Sequence, residues 1–287
     1  MQAIRSILVV LDPGITPSLA LKRARLIAGV TQSHLHLLVC DKKHEHAAML
    51  EQLCSELDRE GFTASSHQAW HDNPHKTIIR VQQAEGCGLV IKQHLPDNPL
   101  KKALITPEDW KLLRYCPCPV LMVKTEKPWA AGTVLAAVDV GNEDTEHRVL
   151  HASIISHGYD IAGLAKATLH VVTAHPTPML SAADPTYQLT ETIEASYRAQ
   201  CREFQEEYDI SDDRLHVVEG PADSLIPNIA HQLGAAVTVI GSVARTGISG
   251  ALIGNTAEVI LDSLESDVLV MKPDDISAHL EELAAKA

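Results

Sequence analysis

The sequence predicts two α/β domains in tandem, each a doubly wound, five-stranded parallel sheet with helices on both faces. Three observations predict it. The 287-residue chain repeats itself at an offset near 148. In each half, short apolar runs alternate with helical patterns, five runs to a half, as parallel strands joined by helical crossovers require. The apolar runs lack strict alternation, which marks strands covered on both faces.

Taken in chain order, the first strand is Ile7-Leu8-Val9-Val10-Leu11-Asp12, and its counterpart is Val134-Leu135-Ala136-Ala137-Val138-Asp139. The second strands share Leu35-His36 and Leu169-His170. The offset grows from 127 to 134 and then to 148, so the second half carries extra residues in its first crossover and more between its second and third strands. Ile78 then pairs with Ile226. Gly88-Leu89-Val90-Ile91-Lys92 matches Ala236-Val237-Thr238-Val239-Ile240, and Val120-Leu121-Met122-Val123-Lys124 matches Val268-Leu269-Val270-Met271-Lys272. Strands in the second half are expected near 133–139, 168–174, 215–219, 237–241 and 267–272. Helices are expected over 191–208, with Thr190 as N-cap, and over 223–232. Pro128-Trp129-Ala130-Ala131-Gly132 breaks both periods and marks the linker, near 125–132. The domains are therefore 1–127 and 128–273, followed by an acidic tail, 274–287, read as a loosely packed helix.

Composition narrows the function. Lys and Arg total 24 against 37 Asp and Glu, a net charge of −13. That argues against direct nucleic-acid binding, which relies on clustered cations. Aromatic residues make up 3%, too few for base-stacking platforms. No apolar run approaches the ~20 residues that span a bilayer. The six cysteines show no framework spacing, and the amino terminus leads directly into a strand without a signal-like apolar core. The expected compartment is the cytoplasm.

Ligands of doubly wound sheets bind beyond the carboxyl ends of the strands, where the strand order reverses. In the second half, Asp139, the loop from Gly241 through Ala244, Arg245 and Gly250, and Gly254-Asn255-Thr256 meet there. Gly241 and Gly254 let backbone approach a ligand, the free amides at Asn255 and Thr256 suit a phosphate, and Asp139 suits ribose hydroxyls. Turn-forming glycines and ordinary caps are the plainer reading. At the same offset, the first half has Gln93, Pro96, Thr106 and Pro107. There Thr106 and Pro107 read as a helix start, and only Asp12 survives from such a site.

The run from Ile240-Gly241-Ser242 to Gly254-Asn255-Thr256 resembles the signature of the universal stress protein family. Its ATP-binding branch has Gly, two residues, Gly, nine residues, then Gly with Ser or Thr. Here the second glycine is Ala244 and the Ser is Asn255. The duplication, with Trp70-His71-Asp72-Asn73-Pro74 and Thr106 to Arg114, is most similar to the tandem, E-type members. The resemblance implies a flavodoxin-like or Rossmann-like sheet in each half with strand order 3-2-1-4-5, and an intramolecular pseudo-dimer through the last strands. It implies ATP contacts at Asp139, Val171, Gly241, Ala244, Gly254, Asn255 and Thr256. Ile240 and Arg245 flank them, and Mg2+ accompanies any bound ATP.

Two functions stay open: a nucleotide-sensing module with its site in the second half only, and a nucleotide-independent scaffold or carrier of a small apolar ligand. No nucleophile–base pair stands out, so at most slow ATP hydrolysis is expected. Protein partners are unspecified, with a homodimer as an option. No metal site is expected, although sixteen histidines form several pairs, among them His44 with His46 and His147 with His151. His71, His75 and His94, read as loop residues on the ligand face, are the group to inspect first.

Overall fold

The computed structural model describes residues 4–94, 107–142, 144–242 and 255–285. The first half runs β1 (Ser6–Leu11), α1 (Leu19–Thr31), β2 (His34–Cys40), α2 (Ala47–Arg59), β3 (Ala64–Ala69), α3 (Pro74–Ala84), β4 (Leu89–Gln93), α4 (Pro107–Tyr115) and β5 (Val120–Val123). The second half repeats the plan with β6 (Thr133–Ala137), α5 (Thr145–Ala165), β7 (Thr168–His175), α6 (Thr190–Glu207), β8 (Leu215–Glu219), α7 (Ala222–Gln232), β9 (Val237–Gly241), α8 (Asn255–Ser263) and β10 (Asp267–Met271). A last helix, α9 (Asp274–Ala285), follows.

The extra residues of the second half fall where the offset changes. Helix α5 has 21 residues against 13 in α1, and residues 176–189, with a 3-10 turn at Pro185–Gln188, lengthen the next crossover. Local chemistry starts several helices. Ser18 caps α1 by accepting from Leu21 N, and Asn73 caps α3 by accepting from Lys76 N, with Pro74 in the first turn. Helix α6 differs from expectation. Leu189 is its N-cap residue, and the Thr190 hydroxyl donates to Glu219 Oε2 at 3.0 Å instead of capping.

The ten strands form one sheet in the order β3-β2-β1-β4-β5-β10-β9-β6-β7-β8. Each half has the 3-2-1-4-5 order, parallel throughout, and the halves join where β5 and β10 pair antiparallel. Leu121 sits opposite Leu269, its own repeat mate at the offset of 148. The pseudo-two-fold axis therefore passes through this pair, and the join is isologous, like a homodimer interface made within one chain. Two cores cover the sheet. One lies under α1, α2, α5 and α6, the other under α3, α4, α7 and α8.

A buried carboxylate fastens the join. Asp267 accepts from Arg23 Nε and Trp129 Nε1 through Oδ2, both at 2.8 Å, and from the backbone amides of Lys124 and Thr125 through Oδ1. The linker is thus anchored, with Trp129 buried and the Arg23 guanidinium 4.9 Å from its ring centroid. The tail is also more firmly placed than expected. In α9, Ile276 and Leu280 are buried, and Gln83 of α3 donates to Glu281 O. All six cysteines are free. Among the described residues, no helix is long and apolar enough to cross a membrane.

Candidate functional site

At the carboxyl ends of β6 and β7 the second half opens a cleft of ≈ 570 Å³, lined by Asp139, Gly141, Asn142, Asp184, Tyr187, Tyr197 and Gln200. Asp139 follows β6 at the topological switch point, where β6 lies between β7 and β9. Its backbone amide donates to His151 Nε2 at 3.3 Å, and its carbonyl accepts from Asn142 N, closing a turn. Although one side of Asp139 is open to solvent, the surrounding walls strip enough water to raise its carboxyl above the ordinary range. The nearby His147 and an amide hydrogen bond from Gly141 pull the other way. Among the described residues, Asp139 makes no ion pair. Burial, then the neighbouring His147, pushes His151 down to about 4, so the imidazole is neutral and accepts from the Asp139 amide.

Tyr197 of α6 is the residue that sequence reasoning missed. Its ring packs 5.7 Å from that of His175, which ends β7. Its hydroxyl stands 2.0 Å from where a Cβ on residue 141 would lie, so Gly141 is there to admit the tyrosine. Burial, then the negative Asp139, pushes the Tyr197 hydroxyl up to about 12, leaving it a neutral hydroxyl. The one signal available in advance was a buried-face tyrosine on the predicted helix in a chain poor in aromatics. Asp184 and Tyr187 come from the segment the first half lacks.

A neighbouring groove of ≈ 700 Å³ between α5 and α6 shares Asn142 and Gln200 with this cleft and adds Arg148, Val149 and Phe204. A smaller cleft of ≈ 250 Å³ at Lys127, His231 and Ser266 lies at the amino ends of the strands, away from the switch point.

The remaining expected residues divide. Gly241 ends β9, but its missing Cβ serves packing: an added one would lie 2.7 Å from Leu150 and 3.0 Å from Ile154 of α5. Ile240 is buried on the opposite face of the sheet, in the core under α7 and α8, and Val171 is buried within the other core. Neither lines the cleft. Asn255 and Thr256 are the first residues of α8. Ala244, Arg245 and Gly254 lie outside the described residues.

In the first half, the polar side chains at the corresponding place are paired. Gln93, at the place of Gly241, turns its Oε1 onto the Leu19 amide at the start of α1. Behind it, His94 Nδ1 and Lys92 Nζ engage buried Asp109 at 3.0 and 2.7 Å. Burial works to raise the Asp109 carboxyl, and the His94 hydrogen bond with the Lys92 ammonium outweighs it, holding the group below its usual range. The inspected histidines do not form a cluster. His75 belongs to α3 rather than a loop and binds Glu108, His94 binds Asp109, and His71 approaches Arg80. Adjacent carboxylates on α4 divide two of them.

The model of the universal stress protein family matches residues 41–124 and 131–272. Universal stress protein E of Escherichia coli K12 is 34% identical over 220 residues, covering 74% of this chain and 69% of that protein. The crystal structure of a functionally unknown protein from Pseudomonas aeruginosa PAO1 is 69% identical, with a TM-score of 0.92, covering 100% of this chain and 99% of that one. A universal stress protein from Archaeoglobus fulgidus shares the fold at a TM-score of 0.63 and 15% identity, over 94% of this chain and 99% of that one.

Proposed function

The chain belongs to the universal stress protein family, and we propose that its second half alone binds a nucleotide, with ATP and Mg2+ as the form to test. The asymmetry of the two crevices carries this reading. Asp139 faces an open cleft without an ion-pair partner among the described residues, whereas Gln93, Lys92, Asp109 and His94 spend themselves on one another and on α1 in the first half. The residues beside the cleft fit such a ligand. The Asp139 carboxylate accepts from ribose hydroxyls, and the amides opening α8 at Asn255 and Thr256 suit phosphate oxygens. Asp139 and Asp184 repel phosphate, so the charged end of the ligand lies toward α8 and away from them. The role proposed is binding: among the described residues that line the cleft, no nucleophile is hydrogen-bonded to a base.

Equilibrium dialysis of the full chain against ATP and Mg2+ tests it. One nucleotide per chain is expected, with affinity reduced at least about tenfold in Asp139→Ala, as expected when a positioned charged acceptor is removed. Asp12→Ala serves as the first-half control and leaves binding unchanged. Because Asp139 is exposed and makes no ion pair among the described residues, its removal is expected to leave the fold intact, and a loss of binding reads as a loss of contact. No saturation at millimolar ATP, two nucleotides per chain, or an equal effect of Asp12→Ala sinks the proposal. If ATP at millimolar levels shows no saturation, the scaffold reading gains. The second-half segment carries Met179 and Leu180, 61% and 83% exposed, beside the cleft, where a protein or apolar ligand has purchase.

A further inference from the structure

From the loop that joins β2 to α2, we propose a first-row divalent metal site formed by Asp41, His44 and His46. It is the one group of three His, Cys, Asp or Glu residues among those described whose ligand atoms converge, all lying within 4.8 Å of one another. His44 Nδ1 and His46 Nε2 both point at the same carboxylate oxygen, Asp41 Oδ2, at 3.0 and 2.9 Å. With metal–ligand distances near 2.0–2.2 Å, neighbouring ligands of a tetrahedral ion stand about 3.3 Å apart. The two Asp41–imidazole distances therefore need to lengthen by only a few tenths of an ångström, and the two imidazole nitrogens already stand within 4.8 Å of each other.

The loop is held in this arrangement by contacts other than those among the ligands. The Lys43 amide donates to Asp41 Oδ1 at 2.7 Å, which steers Oδ2 toward the imidazoles. Gln68, on the adjacent strand β3, clamps the backbone of all three ligands. Its Nε2 donates to Asp41 O and His44 O, and its Oε1 accepts from His46 N. Such outer contacts orient ligands and tune affinity in metal sites. Two imidazoles and one carboxylate make a donor set that zinc, cobalt, nickel and copper favour over magnesium or calcium. Exposed His44 leaves the fourth position to water or a small ligand. Binding replaces two N–H···O hydrogen bonds by metal–nitrogen bonds, so each neutral ring moves its proton to its other nitrogen, while an imidazolium releases one to solvent.

Among the described residues, the feature belongs to the first half alone. At the equivalent place after β7, the chain reads His175-Pro176-Thr177, and His175 Nδ1 is engaged with the Pro176 carbonyl. The half whose Gln93 is turned onto α1 thus carries a different ligand set at the same end of its sheet.

Cobalt(II) titration of the full-length chain, freed of any affinity tag and stripped with chelator, tests the site. The expected result is one cobalt per chain with a visible d–d spectrum, displaced by zinc. His44→Ala, an exposed loop change that leaves the fold intact, weakens binding at least tenfold, as does Asp41→Asn. Gln68→Ala weakens it by about 10–100-fold, the range for outer-contact variants. His94→Gln leaves it unchanged. Absence of a saturable spectrum in the unmodified chain, unchanged affinity in His44→Ala, or loss of binding in His94→Gln with retention in His44→Ala overturns the proposal. Each of these outcomes reduces the loop to a hydrogen-bonded triad.

Discussion

Replacing Asp267 by asparagine tests the account of how the two halves hold together. The side chain has no solvent exposure and accepts four hydrogen bonds, two from the linker amides of Lys124 and Thr125, one from Arg23 and one from Trp129. Asparagine keeps the volume, but its NH2 group faces two donors whichever way the amide turns. Two buried donors are orphaned at about 1–3 kcal/mol each. Arg23, 2% exposed, loses its counter-charge, and removing one partner of a buried pair costs about 3–5 kcal/mol. The two estimates describe the same loss, so Asp267→Asn is expected to destabilise the chain by about 4 kcal/mol and lower Tm by on the order of 10 °C. Urea and thermal unfolding read it. In a double-mutant cycle with Arg23→Met, the pair is expected to couple by about 1–3 kcal/mol, because removing the guanidinium first removes the charge that Asp267 neutralises. A loss below about 1 kcal/mol, or additive single changes, refutes the reasoning.

Two further outcomes follow from the candidate site. Gly241→Ala drives a Cβ to 2.7 Å from Leu150, and the expected loss, about 1–3 kcal/mol for an overpacked core, is relieved when Leu150→Ala is combined with it. An unchanged urea midpoint in Gly241→Ala contradicts the packing role of this glycine. Burial holds His151 down to about 4, against about 6.5 in an unfolded chain. The unfolded state therefore takes up the proton first as pH falls. The contribution of this residue is fully present above about pH 6.5 and is lost between there and about pH 4. Urea midpoints at pH 7, 5.5 and 4.5 are expected to fall more steeply for the unmodified chain than for His151→Gln. Parallel slopes would show that the imidazole is not held neutral.

The repeat, the strands and the helix start at Pro107 were legible because they are written in local pattern. An apolar run keeps its period wherever it packs, and Pro107 at a helix start closes off glycine freedom without reference to its surroundings. The order of strands and the join through β5 and β10 entered through resemblance and hold in the structure. The site was less legible. Gly241 reads from sequence as a backbone opening for a ligand, and the structure shows that its missing Cβ leaves room for Leu150 and Ile154. Val171 and Ile240 are core residues, one on each face of the sheet. Thr190 sat at a plausible cap position, yet its hydroxyl goes to Glu219, 29 residues away.

What the sequence determined by itself was therefore the unit and its duplication, including the match of Leu121 to Leu269 at the offset of 148, while the structure sets these two residues opposite each other across the join. What only the tertiary structure decided was which polar group each side chain spends itself on. Asp267 reaches Arg23 across 244 positions, Tyr197 of α6 settles over Gly141, and Gln68 of β3 braces a loop that holds Asp41, His44 and His46 together. Periodicity is a property of neighbours along the chain, so it survives in one dimension. Hydrogen-bond partners and free volume are shared between distant elements, so they exist only once the sheet has brought those elements together.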